Sequence, residues 1–159
     1  MTVSLEHLTV TVPDGPDTLT ILDDLSLTVG PGEVIAITGE SGSGKSTLLA
    51  VAGLLRAPDA GTVTVAGTDT TGLSRKALTK VRGASIGFVF QTSNLFPSMT
   101  ALEQLELVAH MAGHLDRAAR DRARELLVSV GLEHRLGNRP AQLSGGERQR
   151  VGIARALMN

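Results

Sequence analysis

Residues 39–46 have the types and the spacing needed to bind a polyphosphate. They fit the pattern G-x-x-x-x-G-K-[ST], in order Gly39, Glu40, Ser41, Gly42, Ser43, Gly44, Lys45 and Ser46. Glycines let successive backbone N–H groups converge on phosphate oxygens. Lys45 supplies a positive charge for the β- and γ-phosphates, and the hydroxyl of Ser46 is a ligand for Mg²⁺. The loop and the adjoining Thr47 therefore predict a site for ATP or GTP with Mg²⁺.

A phosphate loop of this kind needs a strand before it and a helix after it. Residues 34–37 are continuously apolar, which is typical of a strand buried on both faces of a parallel sheet. We expect that strand to span residues 34–38. Residues 48–55 form an apolar run of helical type, and the helix N-terminus would direct its dipole at the phosphates. The loop should therefore lie between a buried strand and a helix.

The remaining pattern predicts strands first and helices later. Apolar residues alternate over 8–12 and 25–29, and shorter strands are expected around residues 63–65 and 86–90. In the second half, Thr100 and Glu103 have the spacing of a capping box. A further amphipathic helix should begin after an Asp116 N-cap and end before Gly131. These elements together predict the α/β class.

A second glycine-rich motif precedes the last apolar run of the sequence. Ser144, Gly145 and Gly146 come directly before a segment whose apolar residues suit a helix: Val151, Ile153, Ala154 and Leu157. Such a helix would present unblocked N–H groups and a hydroxyl at its N-terminus, which is a second anion-binding end. Alone, this motif would be an ordinary turn. Downstream of a phosphate loop, it indicates a second contact to the same ligand.

With both motifs, the sequence resembles the ATP-binding cassette (ABC) superfamily over nearly its whole length. The resemblance identifies residues 39–46 as the Walker A loop, Gln91 as the Q-loop glutamine and residues 144–149 as the signature. It implies that Gln91 contacts Mg²⁺, together with Ser46, and positions the attacking water. It also implies a signature that reaches the ATP of another subunit through Ser144, Gly145, Gly146, Glu147 and Gln149. The string over 87–100 looks most like the lipoprotein-release and macrolide-export branch.

The resemblance implies a P-loop NTPase fold of the ABC type. It would contain an N-terminal antiparallel β subdomain and a helical signature subdomain, and the C-terminal part of the core would be missing. The chain 1–159 would be one partial ABC ATP-binding domain. Residues 1–90 would form the β-rich part and P-loop core, 91–142 the Q-loop and helical subdomain, and 143–159 the signature motif and its helix.

The resemblance also implies partners. Two ATP-binding subunits would form a head-to-tail dimer, each ATP lying between one Walker A loop and the other subunit's signature. The dimer would drive a transmembrane permease, which places the chain in the cytoplasm, peripheral at the inner face of the membrane. No secretion signal or membrane span is visible in the sequence. The net charge of -1 argues against a nucleic-acid partner, and the absence of cysteine excludes thiol catalysis and disulfides.

The sequence departs from the family at three places. Val12 stands where the family usually has an aromatic residue stacked on adenine, and Gly152 stands in the signature helix where alanine is common. After Ser144, no apolar run ends in the Asp of a Walker B motif, and no catalytic Glu or switch His follows. We therefore expect ATP binding, with poor hydrolysis by the chain as written.

Two interpretations of the function stay open. The chain is either an N-terminal fragment of a transporter ATPase or a non-hydrolysing ATP-binding half-domain that pairs with intact subunits. An in-frame Walker B segment in the downstream DNA would favour the first. ABC ATPases of DNA repair or chromosome structure are a poor match, because they carry coiled-coil or zinc insertions between the Q-loop and the signature. Here that region has no cysteine and no sustained heptads.

Overall fold

The computed structural model describes residues 2–159, which divide into two compact units along the chain, the second being Ile86–Asn159. The first unit contains an antiparallel sheet of four strands in the order β2-β1-β3-β4. Its elements are β1 (Val3–Asp14), β2 (Asp17–Val29), α1 (Lys45–Ala52), β3 (Ala60–Val65), β4 (Thr68–Asp69) and α2 (Arg75–Ser85). The second unit is helical, with α3 (Ala101–Met111), α4 (Arg117–Ser129) and α5 (Gly145–Ala156).

The β1–β2 hairpin forms where the alternating pattern predicts strands. Leu8 and Val10 are fully buried, and Val12 is half-buried opposite Leu19 of β2. The hairpin turns between the paired Asp14 and Asp17, over a glycine in the left-handed region. Because β1 pairs with β3 on its other edge, it is one of the two inner strands of this sheet, and it contributes Leu5, Leu8 and Val10 to the buried apolar surface.

Two predicted strands do not form. No strand among residues 2–159 pairs with residues 34–38, and the side chain of Val34 is 96% exposed. Residues 86–90 are likewise without ladder partners, although Phe88 and Phe90 stack with ring centroids 4.9 Å apart. The predictions were wrong because an apolar run indicates a tendency to be buried, whereas a strand also needs a neighbouring strand to complete its hydrogen bonds.

The helical unit is organised around one apolar cluster contributed by α3, α4 and α5. Fully buried residues of this cluster include Leu105, Leu127, Leu132, Val151 and Ala154. No helix of the part of the chain that the structure describes has the length and apolar character to cross a membrane.

Both predicted caps of the helical unit are confirmed. The Thr100 hydroxyl accepts from the Glu103 N–H at 3.3 Å, and the Glu103 carboxylate accepts from the Thr100 N–H at 2.7 Å. Asp116 caps α4 by accepting from the Ala119 N–H at 2.8 Å. Gly131 follows α4 with φ of 74°, the conformation that glycine adopts most easily after a helix.

One buried polar side chain fixes the loop that leads into α3. Gln104 is 1% exposed, and its amide nitrogen donates to the carbonyls of Phe96 at 2.7 Å and Met99 at 3.2 Å. Its amide oxygen accepts from the Phe96 N–H at 3.1 Å. A buried amide is tolerated only when its hydrogen bonds are made, so these contacts hold residues 96–99 against α3.

Candidate functional site

The loop 39–44 joins the exposed segment after β2 to α1 and curves through three glycines. Gly42 and Gly44 both have φ of 85°, and Gly39 has φ of 151°. The Ser43 N–H donates to the Glu40 carbonyl at 3.3 Å, which closes a turn within the loop. Gly44 is the N-cap of α1, and its carbonyl accepts from the Leu48 N–H at 2.8 Å. The helix therefore begins directly at the end of the loop.

Position 44 favours glycine for two reasons: its φ is positive, and there is little room for a side chain. A Cβ atom at this position would lie 2.9 Å from the Ile21 carbonyl oxygen and 3.1 Å from a Leu22 methyl carbon, both of β2. At Gly39, a Cβ would lie 2.8 Å from the Ser43 hydroxyl, whereas at Gly42 it would meet nothing within 4 Å. The loop is thus packed closely on β2 at Gly44 and is open at Gly42.

Lys45 directs its ammonium group back across the loop. The Nζ atom donates to the Gly39 carbonyl at 2.9 Å, to the Glu40 carbonyl, and to the Ser43 hydroxyl at 3.3 Å. Lys45 is also the first residue of α1, whose first turn contains no acidic residue. A cation at the positive end of a helix is unfavourable unless an anion is nearby, so the arrangement fits a phosphate group.

The remaining polar side chains of the motif differ in exposure. Ser46 is exposed on the first turn of α1, Thr47 is half-buried beside it, and Ser41 is exposed on the loop. The structure brings residues 39–47 together as one cradle in the first unit. Gln91 belongs to the second unit, so a Mg²⁺ site shared by Ser46 and Gln91 stays a prediction.

The signature motif forms the N-terminus of α5, as the sequence predicts. Ser144 is the N-cap: its hydroxyl accepts from the Glu147 N–H at 3.2 Å, and its own N–H donates to the Glu147 carboxylate at 2.7 Å. Gly145 and Gly146 are exposed, and a Cβ at either position would come no closer than 3.8 Å to its neighbours. This helix end is therefore open to a ligand.

Both oxygens of the Glu147 carboxylate accept hydrogen bonds at that helix end. Its second oxygen accepts from the Arg135 guanidinium at 2.9 Å. The Ser144 N–H, followed by the Arg135 side chain, lowers the pKa of Glu147 from 4.5 to about 2. The S-x-x-E spacing at 144–147 could have revealed this capping box from the sequence, as it did at Thr100. Arg135 lies 12 residues before Glu147, and no sequence pattern indicated its role.

Gln91 lies in an exposed loop whose neighbours contact α5. The Gln149 side-chain amide donates to the Phe90 carbonyl at 3.3 Å, and the Thr92 hydroxyl donates to the Asn94 side chain at 3.0 Å. Gln149 thus contacts the backbone next to Gln91. The sequence offered no sign of this contact.

Val12 lies on β1, next to Thr11. The backbone N–H and carbonyl of Thr11 are both hydrogen-bonded to side chains outside the strand. The Thr11 N–H donates to Asp59 at 2.6 Å, and the Thr11 carbonyl accepts from Arg56 at 2.7 Å. The hydrogen bonds from Thr11 lower the pKa of Asp59. Arg56 and Asp59, both missed from the sequence, therefore fix the strand that carries Val12.

Comparisons with known proteins show which proteins the chain is similar to. A family model described as "ABC transporter" matches residues 22–159. The chain is 52% identical to the lipoprotein-releasing system ATP-binding protein LolD 2 of Caulobacter vibrioides, covering 89% of this chain and 62% of the relative. It is 48% identical to the macrolide export ATP-binding/permease protein MacB of Rhodopseudomonas palustris, covering 99% of this chain and 24% of the relative.

Solved structures with the same fold include dimeric cassettes. The chain matches the ATP-binding cassette MJ0796 in a post-hydrolysis state bound to ADP and Pi, with a TM-score of 0.89 and 42% identity. A second dimeric structure of MJ0796, described as a bacterial ABC transporter cassette, gives a TM-score of 0.90 at 42% identity. In both, the match covers 99% of this chain and 69% of the other. The chain spans less than two thirds of the length of the curated relatives named above.

Proposed function

Because the chain belongs to the ABC transporter family, we propose that it serves as the ATP-binding component of a transporter in the lipoprotein-release and macrolide-export branch. Its fold is that of ABC ATPase cassettes, as the sequence predicted. In this proposal, ATP binding and hydrolysis are coupled to transport by a membrane permease.

The observation that carries the proposal is the cradle around Lys45. Its ammonium reaches across the loop to the Gly39 carbonyl and the Ser43 hydroxyl, at the N-terminus of α1, and the first turn of this helix contains no acidic residue. A triphosphate would supply the compensating negative charge. We assign the phosphates to residues 39–47, Mg²⁺ to Ser46 and Gln91, and adenine to the neighbourhood of Val12. Gln91 would also position the attacking water.

The signature is proposed to bind the ATP of a second ATP-binding subunit. The open glycines at 145 and 146 and the Ser144 hydroxyl provide N–H and O–H donors at an accessible helix end. The cassette MJ0796, which this chain resembles, is described as dimeric in both structures. We therefore propose a head-to-tail dimer in which the Walker A loop of one subunit faces the signature of the other. Glu147 stabilises the N-terminus of α5 through its capping box with Ser144.

We further propose that the assembly works at the cytoplasmic face of the cell membrane, beside a separate permease. The separate permease is supported by the relative from Caulobacter vibrioides, which is named as the ATP-binding protein of a lipoprotein-releasing system, whereas MacB is named as an ATP-binding/permease protein. Residues 1–90, 91–142 and 143–159 would correspond to the P-loop core, the Q-loop with its helical region, and the signature helix.

The Walker A assignment is tested by replacing one lysine. Lys45→Ala should weaken binding of a fluorescent ATP analogue by about tenfold to a hundredfold, because a hydrogen bond to a charged group contributes about 1.5–3 kcal/mol. Lys76→Ala, an exposed lysine of α2, is the matched control and should bind like the parent. Equal dissociation constants for Lys45→Ala and Lys76→Ala would overturn the assignment.

A further inference from the structure

The signature helix α5 holds the Gln91 segment on both sides of the glutamine. On the N-terminal side, the Gln149 amide donates to the Phe90 carbonyl at 3.3 Å. On the C-terminal side, the Arg155 guanidinium donates to the Ser93 carbonyl at 3.0 Å and to the Asn94 carbonyl at 2.9 Å. Gln91 therefore lies at the free centre of a short loop whose two ends are both attached to one helix.

The Arg155 contact is the stronger of the two attachments. Two nitrogens of one rigid guanidinium reach two successive carbonyl oxygens, and a charged donor makes a stronger hydrogen bond than a neutral one. Arg155 is half-buried, and this burial lowers the pKa of its guanidinium.

Close backbone packing adds to these bonds. A Cβ built at Gly87 would lie 2.0 Å from the Ala156 carbonyl oxygen, so the chain before Gln91 lies directly against the end of α5. A Cβ at Gly152 would lie 3.8 Å from the Ser93 carbonyl oxygen, so the middle of the helix also faces the loop. The Asn159 amide donates to the Ile86 carbonyl at 2.6 Å. Helix α5 and the residues after it therefore contact the chain on both sides of Gln91, at residues 86, 87, 90, 93 and 94.

We propose that Gln149 and Arg155 are positioning residues that attach Gln91 to α5, so that the signature end of the helix and Gln91 move as one piece. The proposal rests on the proposed function, which gives the two ends their roles. An α-helix is stiff along its axis, so a displacement at Ser144–Gly146 reaches residue 155 with little loss. A nucleotide bound at the signature of one subunit would thereby influence the Gln91 of that same subunit.

The attachment can be measured without nucleotide. The chain has no cysteine, so Thr92→Cys introduces one thiol for a nitroxide label beside Gln91. Arg155→Met keeps the aliphatic stem and removes both donors. It should raise the ratio of mobile to immobile label at least about tenfold, because both charged hydrogen bonds of Arg155 are lost. Arg155→Lys should restore part of the immobile signal, because an ammonium can reach one carbonyl at a time.

Two controls separate positioning from general loosening. Arg150→Met removes an exposed arginine of the same helix and should leave the label immobile. The affinity for a fluorescent ATP analogue should be unchanged in Arg155→Met, since Lys45 and its loop are intact, whereas Lys45→Ala should lose affinity with an unchanged label spectrum. If the parent chain binds no ATP, the proposed function fails, but the label spectra still decide the attachment.

The proposal is overturned if Arg155→Met and Arg150→Met give the same label spectrum. Should Arg155→Met lose its helical circular dichroism, Gln149→Leu takes its place, because it removes one exposed hydrogen bond and leaves the buried face of α5 unchanged. A label that stays immobile in a folded Gln149→Leu protein would then count against the attachment.

Discussion

The close approach of Gly44 to β2 makes a quantitative prediction about two glycines of one loop. Gly42 and Gly44 share a φ of 85°, so an alanine at either position pays the cost of the left-handed region, about 1–2 kcal/mol. Only at Gly44 does the added methyl also meet backbone, at 2.9 Å from the Ile21 carbonyl oxygen. Relieving such a contact costs about 1–3 kcal/mol.

We therefore expect Gly44→Ala to lower the free energy of unfolding by about 2–5 kcal/mol and Gly42→Ala by about 1–2 kcal/mol. The effect of alanine on the entropy of the unfolded chain is the same in both variants and cancels in the comparison. Urea unfolding of the nucleotide-free protein, followed by far-ultraviolet circular dichroism, measures the difference. Without nucleotide, any loss of phosphate binding does not enter the result.

The reasoning would be refuted if the two variants unfolded at the same urea concentration. That outcome would mean that the loop moves away from Ile21 without cost, so that the N-terminus of α1 is not fixed by β2. A larger loss in Gly42→Ala than in Gly44→Ala would contradict the open space around Gly42.

Two further predictions concern α5. Because the folded-state pKa of Glu147 is about 2 against 4.5 for the free side chain, its cap stabilises the protein above pH 4.5. That contribution should be lost as the pH falls from about 4.5 to about 2, so the difference in Tm between the parent and Glu147→Gln should shrink over this range; a pH-independent difference would contradict the capping role. Gly152→Ala should raise the free energy of unfolding by about 1 kcal/mol through helix propensity, since its methyl would meet Ser93 at an ordinary contact distance of 3.8 Å. Thermal unfolding measures this, and a lower Tm would show that α5 and Ser93 are closer than they appear in the structure.

The sequence predicted the structure best where a motif depends only on residues that are close to one another in the chain. The Thr100–Glu103 cap, the Asp116 cap and the helix start after Gly44 depend on residues within a few positions of one another. Their hydrogen bonds are satisfied locally, so spacing alone predicts them.

The features that the sequence did not predict depend on residues that are distant from one another in the chain. Residues 34–38 and 86–90 were predicted as strands from apolar content, but a strand is defined by its partner, and none pairs with them within residues 2–159. Arg135 and Arg155 act on residues 12 to 62 positions away, so only the folded chain shows what they hold. The local geometry of the two glycine-rich motifs was thus predictable from the sequence, whereas the distant residues that hold them were not.

The exposed segment before the Walker A loop has a consequence for the lifetime of the protein. Residues 33–38 form no helix and no ladder hydrogen bonds, and apolar residues such as Val34 and Ile35 are exposed there. Proteases cleave preferentially where the backbone is exposed and free of such bonds. A single cut here would separate the β1–β2 hairpin from the phosphate loop and α1. The nucleotide proposed to bind at residues 39–46 would stiffen the adjoining backbone, and it would then also protect the chain from proteolysis.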